Sequence, residues 1–153
     1  MNGTTYAVTS NDTLTLNGRV FNNFADDDTT NITLPNELVT IKTGKNGNSL
    51  FAQNQQGLNS NVVLRLMRGS PDDQYMNGLQ AASLNDFPST VLLNGSFRKR
   101  IGDGAGNITA DVYTLGGGVA SKIPDAKENV SGDVAQAVSV WAIKFANTSR
   151  SQQ

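Results

Sequence analysis

Only one stretch of the chain, residues 71–84, carries apolar residues at helical spacing. There Tyr75, Met76, Leu79 and Ala82 recur at the intervals of one helix face. Elsewhere apolar and polar residues alternate in short runs, as they do in half-buried strands. The 18 Asn, 15 Gly and 12 Ser favour turns between these runs, and the 14 Thr favour half-exposed strand positions. The pattern predicts a mainly β domain with one α-helix.

The predicted helix has a well-defined start. Ser70 can accept hydrogen bonds from the free backbone N–H groups of the first turn, and Pro71 suits the first helical position because no N–H is needed there. Asp72 and Asp73 then face the positive end of the helix dipole. We expect the helix to end shortly before Pro88.

Two pairs of predicted strands form long hairpins. The first joins residues 38–43 to residues 49–56 through a turn at residues 44–48, and the second joins residues 89–101 to residues 107–115. Further strands are expected at residues 4–8, 13–16, 19–24, 31–34 and 61–68. Asn17-Gly18 is either a turn or a bulge within a longer strand.

The end of the chain carries one more predicted strand. The glycines at residues 116–118 are expected to end the second hairpin, and residues 134–145 form the last strand. Both faces of that strand are partly apolar, as in a strand buried on both sides or facing a partner chain. The polar tail after Ala146 is expected to fray.

The composition argues against an enzyme. The chain has no His and no Cys, so it lacks the commonest general base, the usual partner of a nucleophilic Ser, thiolate metal ligands and disulfides. Asp26, Asp27 and Asp28 could bind Ca²⁺, but they lack EF-hand spacing, and a solvated loop is favoured. The glycine-rich residues 102–106 lie between two strands and therefore do not form a dinucleotide-binding turn. We predict no catalytic site, cofactor or metal.

The charge pattern limits the possible partners. The formal net charge is −1, whereas a free duplex-DNA binder normally carries a basic excess. Arg98, Lys99 and Arg100 form a basic triplet in which Arg98 and Arg100 share a strand face; they are either solvated or paired with acidic loops of another subunit. No apolar run approaches the ~20 residues that span a bilayer. Residues 1–16 show no features of a signal peptide, so synthesis in the cytoplasm is expected.

The central part of the chain resembles a known family. In order, residues 25–90 contain ADDDTT, NITLPNELVTIKTGKNGN, NVVLRLMRGSPDD and the helix PDDQYMNGLQ. This order is similar to that of the tail tube proteins of contractile-tailed bacteriophages (myophages). The strand that runs into the capped helix and the TGKNGN turn carry most of the likeness.

The resemblance implies an architecture and a role. Residues 1–153 would form a single domain, a β-sandwich or half-barrel with one flanking helix and long hairpin arms. Six subunits would form a ring whose inner strands join into a continuous barrel, and stacked rings would form the inner tail tube, a conduit for DNA ejection. The implied partners are copies of the same chain and the sheath, baseplate and tail-terminator proteins. DNA would pass through the lumen without specific binding, no membrane would be involved, and the protein would be part of a virion assembled in the bacterial cytoplasm.

The same resemblance suggests which residues lie at subunit contacts. We expect Lys45, Asn46 and Gly47, at the tip of the first hairpin, to contact a neighbouring subunit or ring. Arg98 and Arg100 are expected at subunit or sheath contacts, with a channel wall that is polar and neutral to negative.

Two other classes of protein remain open. A different virion β-protein, such as a capsid decoration protein, would share the composition. An extracellular carbohydrate-binding sandwich would need a secretion signal and exposed aromatic residues, and the 7% aromatic content with one Trp argues against it.

Overall fold

A computed structural model describes residues 6–7, 12–25, 29–54, 58–128, 130–132 and 134–152. Within these ranges the chain forms ten β-strands and one α-helix, α1 (Pro71–Asn85), with short 3-10 turns at Phe87–Ser89 and Val134–Ala137. The strands are β1 (Tyr6–Ala7), β2 (Thr13–Leu16), β3 (Arg19–Phe21), β4 (Thr30–Thr33), β5 (Val39–Thr43), β6 (Ser49–Gln53), β7 (Ser60–Met67), β8 (Leu93–Gly102), β9 (Ile108–Lys122) and β10 (Val138–Gln152). The predicted mainly β fold with one flanking helix is confirmed.

Eight of these strands form one antiparallel sheet, which we call the main sheet. Its order is β3-β2-β8-β9-β10-β7-β4, with β1 paired to β8, while β5 and β6 pair only with each other. After β3 the chain crosses to the other end of the sheet, where Phe24 forms a bridge with Leu66 of β7. Beside this bridge the N–H of Ala25 donates to the carbonyl of Arg65 over 2.9 Å. The crossing brings the two ends of the sheet together and curls it around one core.

The core lies inside this curl. Leu14 and Leu16 of β2 belong to the same buried cluster as Leu64 of β7 and Trp141 of β10. On β10, buried residues alternate with accessible ones, and Val140 on the opposite face is 40% exposed. The apolar residues on both faces of the last predicted strand are therefore real, but a single chain buries only one of the two faces.

The predicted cap holds the start of α1. The hydroxyl of Ser70 accepts a hydrogen bond from the N–H of Asp73 over 3.3 Å, and the Asp73 carboxylate accepts one from the N–H of Gly69 over 2.9 Å. The other Asp73 oxygen accepts the indole N–H of Trp141 over 2.8 Å. The cap thus also fixes the helix to β10 through the buried Trp141.

The apolar face of α1 is shorter than predicted. Met76 is fully buried, and Tyr75 and Leu79 pack against the core. Ala82, which was predicted on the same face, is exposed because this part of the helix no longer lies over the core.

Asp72 anchors α1 to the crossing between β3 and β7, and it is buried rather than facing solvent at the helix end. One carboxylate oxygen accepts Arg19 Nε at 3.0 Å, and the other accepts the backbone N–H groups of Asn22 and Asn23, each at 2.9 Å. The Arg19 guanidinium also lies over the Tyr75 ring, 5.1 Å from its centre. One carboxylate therefore satisfies donors from a side chain and from the crossing backbone.

The glycines at residues 116–118 do not end the second hairpin, and that prediction was wrong. β9 continues through them to Lys122. The register against β8 shifts by one residue here, which is the signature of a β-bulge, and Gly117 adopts a positive φ of 68°. A Cβ at Gly118 would lie 2.3 Å from Cε1 of Phe145, so only glycine lets that ring pack against the strand.

The polar tail does not fray as predicted. β10 runs to Gln152 because the long β9 provides a pairing partner as far as Asp111. The Arg150 guanidinium donates to both oxygens of Asp111, at 2.8 and 3.0 Å, and lies 5.8 Å from the centre of the Tyr113 ring. The hydrogen bond to Asp111 raises the pKa of Arg150, which stays charged.

Two boundaries are also settled by the structure. Asn17 and Gly18 have φ values of 52° and 77°, so they form a tight turn that divides β2 from β3 rather than a bulge. β8 begins at Leu93, later than predicted, because Pro88 lies in a 3-10 turn that precedes it.

Candidate assembly surfaces

No compact polar site stands out in the part of the chain that the structure describes. Among those residues no group of three or more His, Cys, Asp or Glu is placed to hold a metal ion. No described helix is long and apolar enough to cross a membrane. The candidate Ca²⁺ ligands Asp26, Asp27 and Asp28 lie outside the described residues.

The glycine-rich residues 102–106 form a hairpin turn, as predicted, between β8 and β9. Asp103 closes it by accepting the N–H groups of Ala105 and Asn107, at 2.8 and 3.2 Å, and the Asn107 side-chain amide at 2.9 Å. The hydrogen bond from the Asn107 side chain, followed by that from Ala105, lowers the pKa of Asp103. These N–H groups already have an acceptor within the turn.

β5, β6 and their connection form an arm, residues 38–54, that projects from the main sheet. Its tip is closed by hydrogen bonds between Gly44 and Asn48 (2.8 Å) and between Gly47 and Gly44 (3.0 Å). Gly47 has a φ of 83°, which suits glycine in such a turn. The turn places Lys45, Asn46 and Gly47 together at the exposed end of the arm, and their contact with another subunit stays a prediction.

None of the apolar residues of the arm is buried against the described part of the chain. Val39, Ile41 and Phe51 share one face and are 48%, 59% and 69% exposed, and Leu50 on the opposite face is 70% exposed. A two-stranded hairpin is marginally stable on its own in water. Exposed apolar residues grouped in this way mark a surface that another protein covers.

β10 offers a second surface, because its last part has a neighbour on one side only. Its pairing with β7 ends where Phe145 lies opposite Ser60, and residues 146–152 continue alongside β9 alone among the described strands. A buried hydrogen bond of 2.6 Å between the hydroxyls of Ser60 and Thr148 holds the point of divergence. We call residues 146–152 the open edge, since their outer backbone groups can pair with a strand of another chain.

A third surface was missed from the sequence. Leu84, Phe87 and Ile123 are exposed around a groove between the end of α1 and the end of β9, floored by Val119 and Ala120. A run of apolar residues without helical periodicity, continuing after the helix into residues 91–93, was the available signal.

The charges of the main sheet are strongly one-sided. Its strands contain a single carboxylate, Asp111, and eight cationic side chains. The eight are Arg19, Arg65, Arg98, Lys99, Arg100, Lys122, Lys144 and Arg150.

Half of these cations are paired. The ion pairs are Arg19–Asp72 at 2.9 Å, Lys99–Asp12 at 3.6 Å, Lys122–Asp125 at 3.4 Å and Arg150–Asp111 at 2.8 Å. No ion pair to a described residue forms at the other four, which are Arg65, Arg98, Arg100 and Lys144. Arg98 and Arg100 lie exposed on one face of β8, and their role at a subunit contact stays a prediction.

Comparison with known proteins gives a fold likeness. No protein-family model and no curated protein sequence matches the chain. A chain of the cryo-EM structure described as an extracellular contractile injection system, PVC sheath/tube terminator in extended state, matches with a TM-score of 0.54 and 10% sequence identity. The match covers 95% of each chain, so the two proteins share a fold over nearly their full length.

Proposed function

We propose that this protein is a structural subunit of a contractile tail, which assembles with copies of itself into stacked rings that form the inner tail tube. The arm carries the proposal, because it exposes apolar residues on both faces and needs another chain to cover them. Two likenesses support the choice of assembly. Residues 25–90 resemble myophage tail tube proteins, and the fold resembles a chain from a contractile injection system.

The open edge supports assembly through strand pairing. At this end of the main sheet β8, β9 and β10 lie side by side, with residues 146–152 at one edge. On its other side β8 pairs first with β2 and then, at Ile101 and Gly102, with β1. Pairing the open edge of one copy with the β1 side of the next would join their sheets. Such a head-to-tail contact closes into a ring when the rotation between copies permits it. We propose that six copies do so.

The arm would then connect subunits beyond the shared sheet. Its tip at Lys45, Asn46 and Gly47 would contact a neighbouring subunit or the adjacent ring, and the apolar faces of β5 and β6 would be covered there. The sheath, baseplate and terminator proteins are the remaining proposed partners. The proposed role is a passive, non-enzymatic conduit for DNA in a virion assembled in the bacterial cytoplasm.

A tail-terminator subunit is the second candidate. The observation that favours it is that the matching chain comes from a sheath/tube terminator structure. A terminator ring would cap a tube once, whereas a tube subunit stacks repeatedly, so the two functions differ in the assembly that they form.

Negative-stain electron microscopy and sedimentation velocity over a range of protein concentrations test both candidates. Stacked tubes support the tube subunit, and discrete single rings support the terminator. The variant Ile41→Ser/Phe51→Ser should abolish either assembly, while Val20→Ser, which replaces an exposed apolar residue of the main sheet, should leave it intact. A wild-type protein that stays monomeric at high concentration, even with sheath and baseplate proteins added, would rule out the proposal.

A further inference from the structure

The main sheet has two chemically different faces. On β7, Val62 and Leu64 point into the core, so Arg65 between Leu64 and Leu66 points away from it. By the same alternation, Lys144 lies between the buried Ile143 and Phe145 on β10. We call the side opposite the core the outer face of the sheet.

β8 shows the same division. Phe97 packs against the core, and Arg98 and Arg100 therefore point to the outer face. Their cross-strand neighbours on β9 are Val112 and Ala110, which offer no charge.

Three of the four paired cations lie on the core side of the sheet. Arg19 shares its strand face with the buried Phe21, Lys99 shares that of Phe97, and Arg150 is held by Asp111 on the core side. The fourth paired cation, Lys122, lies at the end of β9 opposite Ala142, where the following loop supplies Asp125. All four cations without an ion pair to a described residue lie on the outer face.

The outer face offers them no carboxylate within the described strands. Its other described side chains are Ser, Thr, Asn, Met and aliphatic residues, and none of them is aromatic; Tyr6, whose side chain is not described, pairs with Gly102 on this face. Proteins that bind single strands need aromatic rings on which bases stack. Among the described side chains this face thus presents guanidinium and ammonium groups without rings, which suits phosphates rather than bases.

We infer that the outer face contacts the phosphates of double-stranded DNA through Arg65, Arg98, Arg100 and Lys144, without reading its sequence. The inference rests on the proposed function for its setting, because in a ring with α1 and the core on the outside this face borders the channel. A DNA-contacting outer face would make the channel wall basic, where the sequence predicted a neutral-to-negative wall. It would also give Arg98 and Arg100 a role other than subunit contact.

The net charge of −1 is compatible with an outer face that contacts DNA phosphates. The carboxylates of the described chain lie in α1, in loops and on the core side, whereas counterions are displaced only where cations meet phosphates. Each phosphate contact contributes about −0.9 to the slope of log K against log salt. Four contacts therefore give a slope of about −3.6, so that a fourfold rise in salt weakens binding roughly a hundredfold. Such binding is weak at physiological salt and lets DNA slide.

Fluorescence anisotropy of a labelled 30-base-pair duplex, titrated with the full chain from 20 to 200 mM NaCl, tests the inference. The variant Arg98→Ser/Arg100→Ser should weaken binding at least tenfold at low salt and make the slope shallower by about 1.8. Lys42→Ser/Lys127→Ser removes the same charge from the arm and from the loop after β9, and should change binding by less than twofold. A duplex of unrelated sequence should bind equally well.

The other outcomes overturn the inference in distinguishable ways. Wild-type protein that binds no duplex at 20 mM salt, or equal weakening in both variants, would show that the outer face makes no such contact. If Arg98→Ser/Arg100→Ser instead loses assembly in sedimentation while duplex binding is unchanged, these residues form a subunit contact. Salt-dependent binding by a wild-type protein that forms neither rings nor tubes would support the DNA-contacting face and refute the proposed function.

Discussion

β7 and the arm strand β5 show how the same pattern leads to different outcomes. Both alternate apolar with polar residues, but Leu64 of β7 is completely buried while Val39 and Ile41 of β5 stay about half exposed. The difference is the second layer, because β7 faces β2 and α1 across the core, whereas the arm pairs only with itself. Alternation therefore predicts a strand, and the presence of an opposing layer decides whether its apolar side is buried within the chain.

This comparison has an energetic consequence. Burying a Val, Leu, Ile or Phe side chain contributes about 1.5–3 kcal/mol. In β7 that free energy stabilises the monomer. In the arm it becomes available only when another chain covers Val39, Ile41 and Phe51, so it favours assembly instead.

The largest expected effect is the difference in unfolding free energy between substitutions of two leucines, one buried and one in the arm. Leu64→Ala removes a fully buried side chain and should lower the free energy of unfolding by about 2–5 kcal/mol. Leu50→Ala, at an exposed position in the arm, should change it by less than about 0.5 kcal/mol. Urea denaturation of the monomer measures both values. Equal losses would mean that the arm packs on the chain in solution.

The buried carboxylate should have the next largest effect. Asp72→Ala leaves Arg19 and the N–H groups of Asn22 and Asn23 without their acceptor, and should cost about 2–4 kcal/mol of unfolding free energy. The matched change Arg19→Ala should cost about 1 kcal/mol or less, since it is partly exposed and leaves both backbone donors satisfied. Similar costs for the two variants would show that the ion pair, rather than the backbone contacts, anchors α1.

The helix cap should have a smaller effect. Ser70→Ala removes the acceptor for the N–H of Asp73 and should cost about 1 kcal/mol, measured by the same denaturation. Ser151→Ala, at an exposed strand position, should be close to neutral. An unchanged stability for Ser70→Ala would mean that Asp73 alone maintains the helix start.

The smallest expected effect is the lowered pKa of the Asp103 carboxyl. Its pKa is lowered below 3.8 in the folded chain, so its hydrogen bonds stabilise the turn above that pH and are lost as the pH falls through the folded pKa. An NMR titration of the carboxyl should give a midpoint below 3.8, and Asn107→Ala should raise it. A wild-type midpoint at or above 3.8 would contradict the turn geometry.

Local chemistry made some elements predictable. The capping residue Ser70, the proline at the first helical position and the turn at residues 44–48 act within a few residues, so the helix start and the arm were predicted correctly. The predictions that were wrong concerned residues whose structure depends on contacts with residues far away in the sequence. The glycines at residues 116–118 continue a strand because Phe145 packs over them, and the tail is ordered because β9 extends as far as Asp111.

The charge distribution shows the same limit. The sequence has a net charge of −1, but this value does not show which cations form ion pairs. Arg98 and Arg150 look alike in the sequence, and only the strand register places Asp111 next to Arg150 and leaves Arg98 without a carboxylate. Recognising the outer face therefore required the fold.

Amide hydrogen exchange in the monomer and in the assembled protein tests the account most directly. In dilute monomer, the amides of β5 and β6 should exchange far faster than those of β7, because the arm packs on no other described part of the chain. In the assembly, protection of the arm should rise at least tenfold while that of β7 changes little. Equal protection of the arm in the two states would contradict the claim that its apolar faces exist to be covered by another subunit.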